Sequence, residues 1–196
     1  MNTKPTGTEI YQRYAWRYTK DDLRFCPRCG HGLVQQALHI PEEKHLVCHG
    51  CEFILYLDPK LVVTGVVTYG DAVLLLRRAE RPKVGKWGLP GGHVQRGEDP
   101  REALIKEVRQ EAGVPVAVGH LVNIYTAPSH GVVQLVFAAT ARTDDLRVNI
   151  ESYEGRFFSR ADLPWDHLAF ETTGQALDSC GFQRHDQAPA KPHRPR

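Results

Sequence analysis

Two groups of residues in this chain have the types and spacing to do chemistry. The first is Cys26 and Cys29 in FCPRCG with Cys48 and Cys51 in CHGC, each pair separated by two residues. One tight turn offers two thiolates to one ion, and a tetrahedral site needs two such turns, so the spacing predicts a Zn²⁺ site of four thiolates. A closed shell of this kind is structural, and catalysis has to be sought elsewhere. Four unrelated free cysteines are the plain alternative, and they leave the matched spacing unaccounted for. His31, His45 and His49 stand nearby, but four thiolates fill the coordination sphere, so these read as surface residues.

The second group lies in GGHVQRGEDPREALIKEVRQEAGV, residues 91–114. On a helix Glu107, Gln110 and Glu111 share one narrow face, and Gln110 stands where a third carboxylate would complete an acidic set. A solvated acidic face is the commonest meaning of such a pattern. The preceding glycines argue otherwise: Gly91 and Gly92 let backbone carbonyls approach an ion closely, and hard divalent cations take mixed oxygen ligands.

The elements that must position these groups follow from pattern. Asp99 as N-cap, Pro100 at the first helical position and Glu102 three residues after the cap predict a helix start with a capping box, and Gly113 predicts its end. Leu104, Ile105, Val108 and Ala112 form the arc that buries. Upstream, LVVTGVVTY, a Gly70-Asp71 turn and AVLLLRRA predict a hairpin, and RPKVGKWGLPGGHVQRGE predicts a functional loop. GHLVNIYTAP, VVQLVFAATAR and EGRFFS predict further strands, ADLPWDHLAF a turn and ETTGQALDSC a closing helix, with Cys180 an inert core thiol. LVQQALHIPEEKHLV predicts two short strands joined by a polar turn between the cysteine pairs. The expected organisation is an N-terminal extension over 1–22, a zinc ribbon over 23–57 held by its metal, a catalytic domain over 58–182 and a disordered basic tail over 183–196. Tyr11, Tyr14, Trp16 and Tyr18 give the extension an aromatic cluster suited to a packing arm, with a homodimer contact or a nucleic-acid contact as alternatives.

Composition sets the outer limits. With 41% hydrophobic and 24% charged residues the chain reads as one or two small globular domains. The net charge of +2 is concentrated in QRHDQAPAKPHRPR, so nothing in the folded part demands nucleic acid. No stretch approaches the roughly 18 apolar residues of a membrane span, which makes a cytoplasmic protein the expectation.

The acidic helix and its loop resemble the signature of the Nudix hydrolases: Gly92, then Glu98, then Lys106-Glu107, Val108, Arg109, Gln110-Glu111, Ala112, Gly113 and Val114. A four-cysteine ribbon before such a domain is similar to the subgroup that includes NADH and FAD pyrophosphatases. The resemblance implies an α/β/α sandwich around a mixed sheet and hydrolysis of a nucleoside diphosphate linked to another group. It implies that Glu107 and Glu111, with the Gly91 carbonyl, hold Mg²⁺ or Mn²⁺ against the diphosphate, and that Glu98 orients the loop through Lys106. Arg78 would meet a phosphate. Glu151 and Glu154, in ESYEGRFF, resemble a downstream segment in which one glutamate completes the metal set or acts as base; ordinary strand-end glutamates are the alternative.

Two positions depart from the signature. Lys106 replaces an arginine and loses its planar two-point hydrogen bond. Gln110 offers a neutral oxygen where a carboxylate is usual, which weakens one metal position. The expected substrate is a small nucleotide such as NADH, FAD or ADP-ribose, with Trp87, Tyr125, Phe157 and Phe158 as rings for its base, Trp87 foremost. Two other functions fit less of the sequence: a sensor that binds ADP-ribose or a dinucleotide without turnover, and an RNA cap-processing hydrolase.

Overall fold

The computed structural model describes residues 19–127 and 131–184. The aromatic cluster of the extension and nearly all of the expected tail lie outside them. The chain divides into two units, the first ending at Pro59 and the second built from residues 60–127 and 132 onward.

The first unit holds a three-stranded antiparallel sheet: β1 (Leu33–Ala37), β2 (Lys44–Cys48) and β3 (Ile54–Leu55). The predicted hairpin is present, and β3 adds a strand that two residues are too few to announce. Among the described residues of this unit the buried hydrophobic ones are Cys26, Leu46 and Cys48. A core of that size is too small to hold a fold without a staple.

In the second unit β4 (Lys60–Tyr69) and β5 (Ala72–Arg78) form the expected hairpin, with Tyr69 paired to Ala72 across the turn. The glycine-rich loop carries two short strands, β6 (Trp87–Gly88) on β5 and β7 (Gly91–His93) on β4. Then come α1 (Pro100–Ala112), β8 (Val116–Ala127), β9 (Val132–Ala141), β10 (Ser152–Phe158) and α2 (Glu171–Ser179). The main path of the sheet runs β10-β5-β4-β9-β8, and only the β4–β9 pair is parallel.

Strand alternation explains the layers. Val63, Val67, Leu74, Leu76, Phe137 and Ala139 turn to one face, where Ala103, Leu104, Val108 and Ala112 of α1 pack on them. Val66, Val73, Leu75 and Val136 turn to the other, where Ala176 and Leu177 of α2 close a second core. The result is the α/β/α sandwich around a mixed sheet. Among the described residues no helix is long and apolar enough to cross a membrane.

The Asp99 carboxylate caps α1 by accepting from Arg101 N at 2.8 Å and Glu102 N at 3.3 Å. The reciprocal bond of a capping box does not form, because the exposed Glu102 side chain stays in solvent. Gly113 ends the helix in the left-handed region with its N–H on the Arg109 carbonyl.

Candidate active site

Glu111 sits on the inner edge of α1, and its carboxylate accepts the Gly91 N–H at 2.8 Å. The approach depends on the glycines. Gly91 has φ 146°, and a Cβ there would fall 2.1 Å from the Val63 carbonyl oxygen; a Cβ on Gly92 would fall 2.6 Å from the Glu107 carboxyl carbon. Loop and helix therefore meet backbone to carboxylate, and the bond orients the loop toward the acids.

The electrostatics bind the group together. Burial pushes the Glu111 carboxyl up to about 8; the neighbouring charges of Glu107 and Glu151 add to the rise, while the Gly91 N–H and the Arg78 guanidinium oppose it. Burial also raises Glu107, against the pull of Lys106 and with the push of Glu151 and Glu98. Glu107 and Glu111 are half-buried and Glu151 is exposed; mutual repulsion among carboxylates is what a hard dication relieves, and carboxylate and carbonyl oxygens are the donors it takes. By donor type the Glu107 and Glu111 carboxylates beside the glycine loop suit Mg²⁺ or Mn²⁺.

Glu98 and Lys106 form the pair expected of them. Lys106 Nζ donates to Glu98 Oε1 at 2.5 Å, while Gln95 N donates to the other oxygen at 2.8 Å, so the loop is tied to the helix one turn from Glu111. Together these hold Glu98 below the usual carboxylate range, the lysine contributing most. Gln110 is exposed, outside the half-buried ground of Glu107 and Glu111.

The two downstream glutamates separate. Glu151 acts electrostatically on both helix carboxyls. Glu154 pairs across the strands with Arg77, whose guanidinium lies 4.0 Å away. Its neighbour in sequence, Arg78, ends β5 beside the acids: Arg78 Nε donates to the Pro82 carbonyl at 2.8 Å, and its guanidinium carbon lies 5.4 Å from the centre of the Phe170 ring.

The rings expected to receive a base are mostly engaged elsewhere. Trp87 sets its edge against Phe158 at 4.8 Å and packs with Tyr125 on the second core, and Phe157 tilts against Tyr69. Phe170, which the sequence did not single out, is 39% exposed next to Arg78. It is placed there by the Ala169 N–H, which donates to the Trp87 carbonyl at 2.7 Å, a contact between segments about eighty residues apart. Phe170 also borders a groove of about 340 Å³ with Trp165, Leu168 and Glu171.

The four cysteines of the first unit also assemble. Their Sγ atoms lie within 4.8 Å of one another, with Cys26–Cys51 at 3.8 Å and Cys29–Cys48 at 3.4 Å. A zinc tetrahedron with Zn–S bonds of about 2.3 Å has edges of about 3.8 Å, so the donor set fits the ion. The N–H groups of Arg28 and Gly50 point at Cys26 and Cys48 Sγ at 3.4 and 3.3 Å, as thiolates require. Burial alone would raise the Cys48 thiol, yet the Gly50 N–H and the Cys29 thiol outweigh it and hold it at about 6.

Comparison with known proteins decides the family. Residues 59–177 match the NUDIX domain. The chain belongs to the Nudix hydrolases. An ADP-ribose pyrophosphatase of Methanocaldococcus jannaschii is 32% identical over 124 residues, covering 61% of this chain and 72% of that protein. An NAD-capped RNA hydrolase NudC of Pseudomonas putida is 31% identical over 144 residues, covering 72% of this chain; the match spans half the length of that relative. A crystal structure of a Nudix hydrolase from Nitrosomonas europaea superposes with a TM-score of 0.77 at 30% identity, over 85% of this chain and 95% of that one. As a Nudix hydrolase the chain acts on a pyrophosphate bond.

Proposed function

We propose that this Nudix hydrolase splits the diphosphate bond of a dinucleotide-like substrate of the NADH, FAD or ADP-ribose type with Mg²⁺ or Mn²⁺. The observation that supports it is the Glu111 carboxylate on the Gly91 N–H, with Glu107 against Gly92 and the charges of Glu151 and Arg78 acting on Glu111. Glu107, Glu111 and the Gly91 carbonyl would hold the ion, with Gln110 offering a neutral oxygen from the exposed rim, and the ion would supply charge neutralisation of phosphoryl oxygens and a lowered pKa for the attacking water.

Glu151 takes the proton of the water as its oxygen attacks phosphorus, the bond from that phosphorus to the bridging oxygen breaks, and two monophosphates leave. Arg78 holds a non-reacting phosphoryl oxygen. Phe170 stacks on the heterocyclic base: a guanidinium beside an aromatic face keeps its donors in its own plane, so ring and arginine together grip base and phosphate. Zn²⁺ on Cys26, Cys29, Cys48 and Cys51 is structural.

The likeness to an ADP-ribose pyrophosphatase supports the small-molecule substrate. The NudC relatives favour a second reading, in which the same diphosphate is the cap of an RNA. A hydrolysis series over NADH, NAD, FAD, ADP-ribose and NAD-capped RNA with Mg²⁺ or Mn²⁺ tests both. Release of two monophosphates from a free dinucleotide at a higher kcat/KM than from capped RNA is the expected result; the reverse order moves the assignment to RNA, and binding without turnover of any of them leaves a sensor.

A further inference from the structure

The segment between β9 and β10 carries Glu151 to the acids of α1, and it reaches them with little apolar anchoring. Leu146 packs on the first core, but Val148 is 37% exposed and Ile150, next to Glu151, is 94% exposed. Polar bonds hold what burial does not. Arg147 N donates to the Ala112 carbonyl at 2.8 Å and Asn149 N to the Glu111 carbonyl at 3.2 Å, so the segment satisfies two orphan carbonyls at the C-terminus of α1.

Asn149 is the centre of this strap. Its side-chain Oδ1 accepts the Glu151 N–H at 2.9 Å, its carbonyl accepts the Ser152 N–H at 3.3 Å, and its own N–H is the one on Glu111. From the far side the Glu151 carbonyl accepts the N–H of Ala79, the residue after Arg78, at 2.8 Å. One asparagine thus joins the backbone of Glu111 to the backbone of Glu151.

We propose that Asn149 is a positioning residue for the hydrolysis, fixing the Glu151 carboxylate relative to Glu107 and Glu111 through the backbones of Glu151 and Glu111. The proposal rests on the reading that Glu151 works with those two acids. Misplacement of a reacting group by about 1 Å costs on the order of a hundredfold in rate, so a strap that sets one carboxylate has a measurable effect on turnover rather than on substrate affinity.

The test is steady-state kinetics of the full chain on ADP-ribose, or on NADH where that is hydrolysed faster, with Mn²⁺. Asn149→Ala is expected to lower kcat about tenfold or more with KM within about twofold. Asn149→Ser is expected to recover most of the loss, since its hydroxyl offers the same acceptor to the amide two residues on. In a double-mutant cycle Asn149→Ala should add little to Glu151→Gln, because both remove the same properly placed carboxylate. Unchanged kcat in Asn149→Ala, or losses that multiply in the double variant, overturns the proposal. If Glu151→Gln keeps full kcat, the reading beneath it falls and the proposal with it; if Glu151→Gln is slow while Asn149→Ala is not, the proposal alone falls. Should Asn149→Ala not fold, Asn149→Gln carries the same test by moving the acceptor one bond outward, and full kcat in that variant overturns the proposal equally.

Discussion

Replacing Glu111 by Gln is expected to make the metal-free protein more stable while removing its activity. The carboxyl stands at about 8 against an ordinary 4.5, so the folded state holds its proton where the unfolded state has lost it. The sign follows from that direction. Below pH 4.5 both states are protonated and the group is neutral to stability; as pH rises toward 8 the unfolded state ionises freely, the folded state does not, and stability is lost. At about 1.4 kcal/mol per pH unit the loss has an upper limit on the order of 5 kcal/mol above pH 8, and relaxation and water entry bring the expected figure to about 2–3 kcal/mol. Glutamine keeps an oxygen for the Gly91 N–H and carries no charge to bury. Urea unfolding in divalent-free buffer, followed by tryptophan fluorescence, should show a small difference between variant and parent at pH 5 and the variant clearly more stable at pH 9. Millimolar Mn²⁺ should close the gap by stabilising only the parent. Initial rates with Mn²⁺ should fall roughly a hundredfold or more. A stability difference that does not change between pH 5 and 9 would refute the buried carboxyl, and full activity in the variant would refute its place at the metal.

Three further outcomes are expected. Elemental analysis should find about one zinc per chain, and Cys48→Ser should lose it and destabilise the first unit, because a three-thiolate site lacks a closed shell; a zinc-free protein whose first unit is folded contradicts the assignment. Gln110→Glu should need less Mn²⁺ for half-maximal hydrolysis, since an added charge strengthens a hard-cation site, and superposable metal titrations would place residue 110 outside the metal's reach. Phe170→Ala should raise KM for ADP-ribose by about three- to tenfold with a smaller change in kcat, whereas Phe170→Tyr should not; equal kinetics in Phe170→Ala means the base sits elsewhere.

Local signals carried the parts of this protein that are local. The two cysteine knuckles, the β4–β5 turn and the limits of α1 each depend on residues within a few positions of one another, so cap, turn and spacing rules reach them directly. The same holds for Glu107 and Glu111, one turn apart on a helix whose apolar arc settles which way they face. Tertiary structure decided what joins them. Glu151 and Glu154 are three residues apart and equivalent by type; a register shift in β10 and pairing with β5 send one to Arg77, while docking on the end of α1 brings the other to Glu111. Trp87 is a plausible stacking ring by type, yet the fold turns it against Phe158 and leaves Phe170 beside Arg78 instead. Such choices depend on contacts between segments forty to eighty residues apart, where no periodicity or cap in the chain records which face will be covered and which left open.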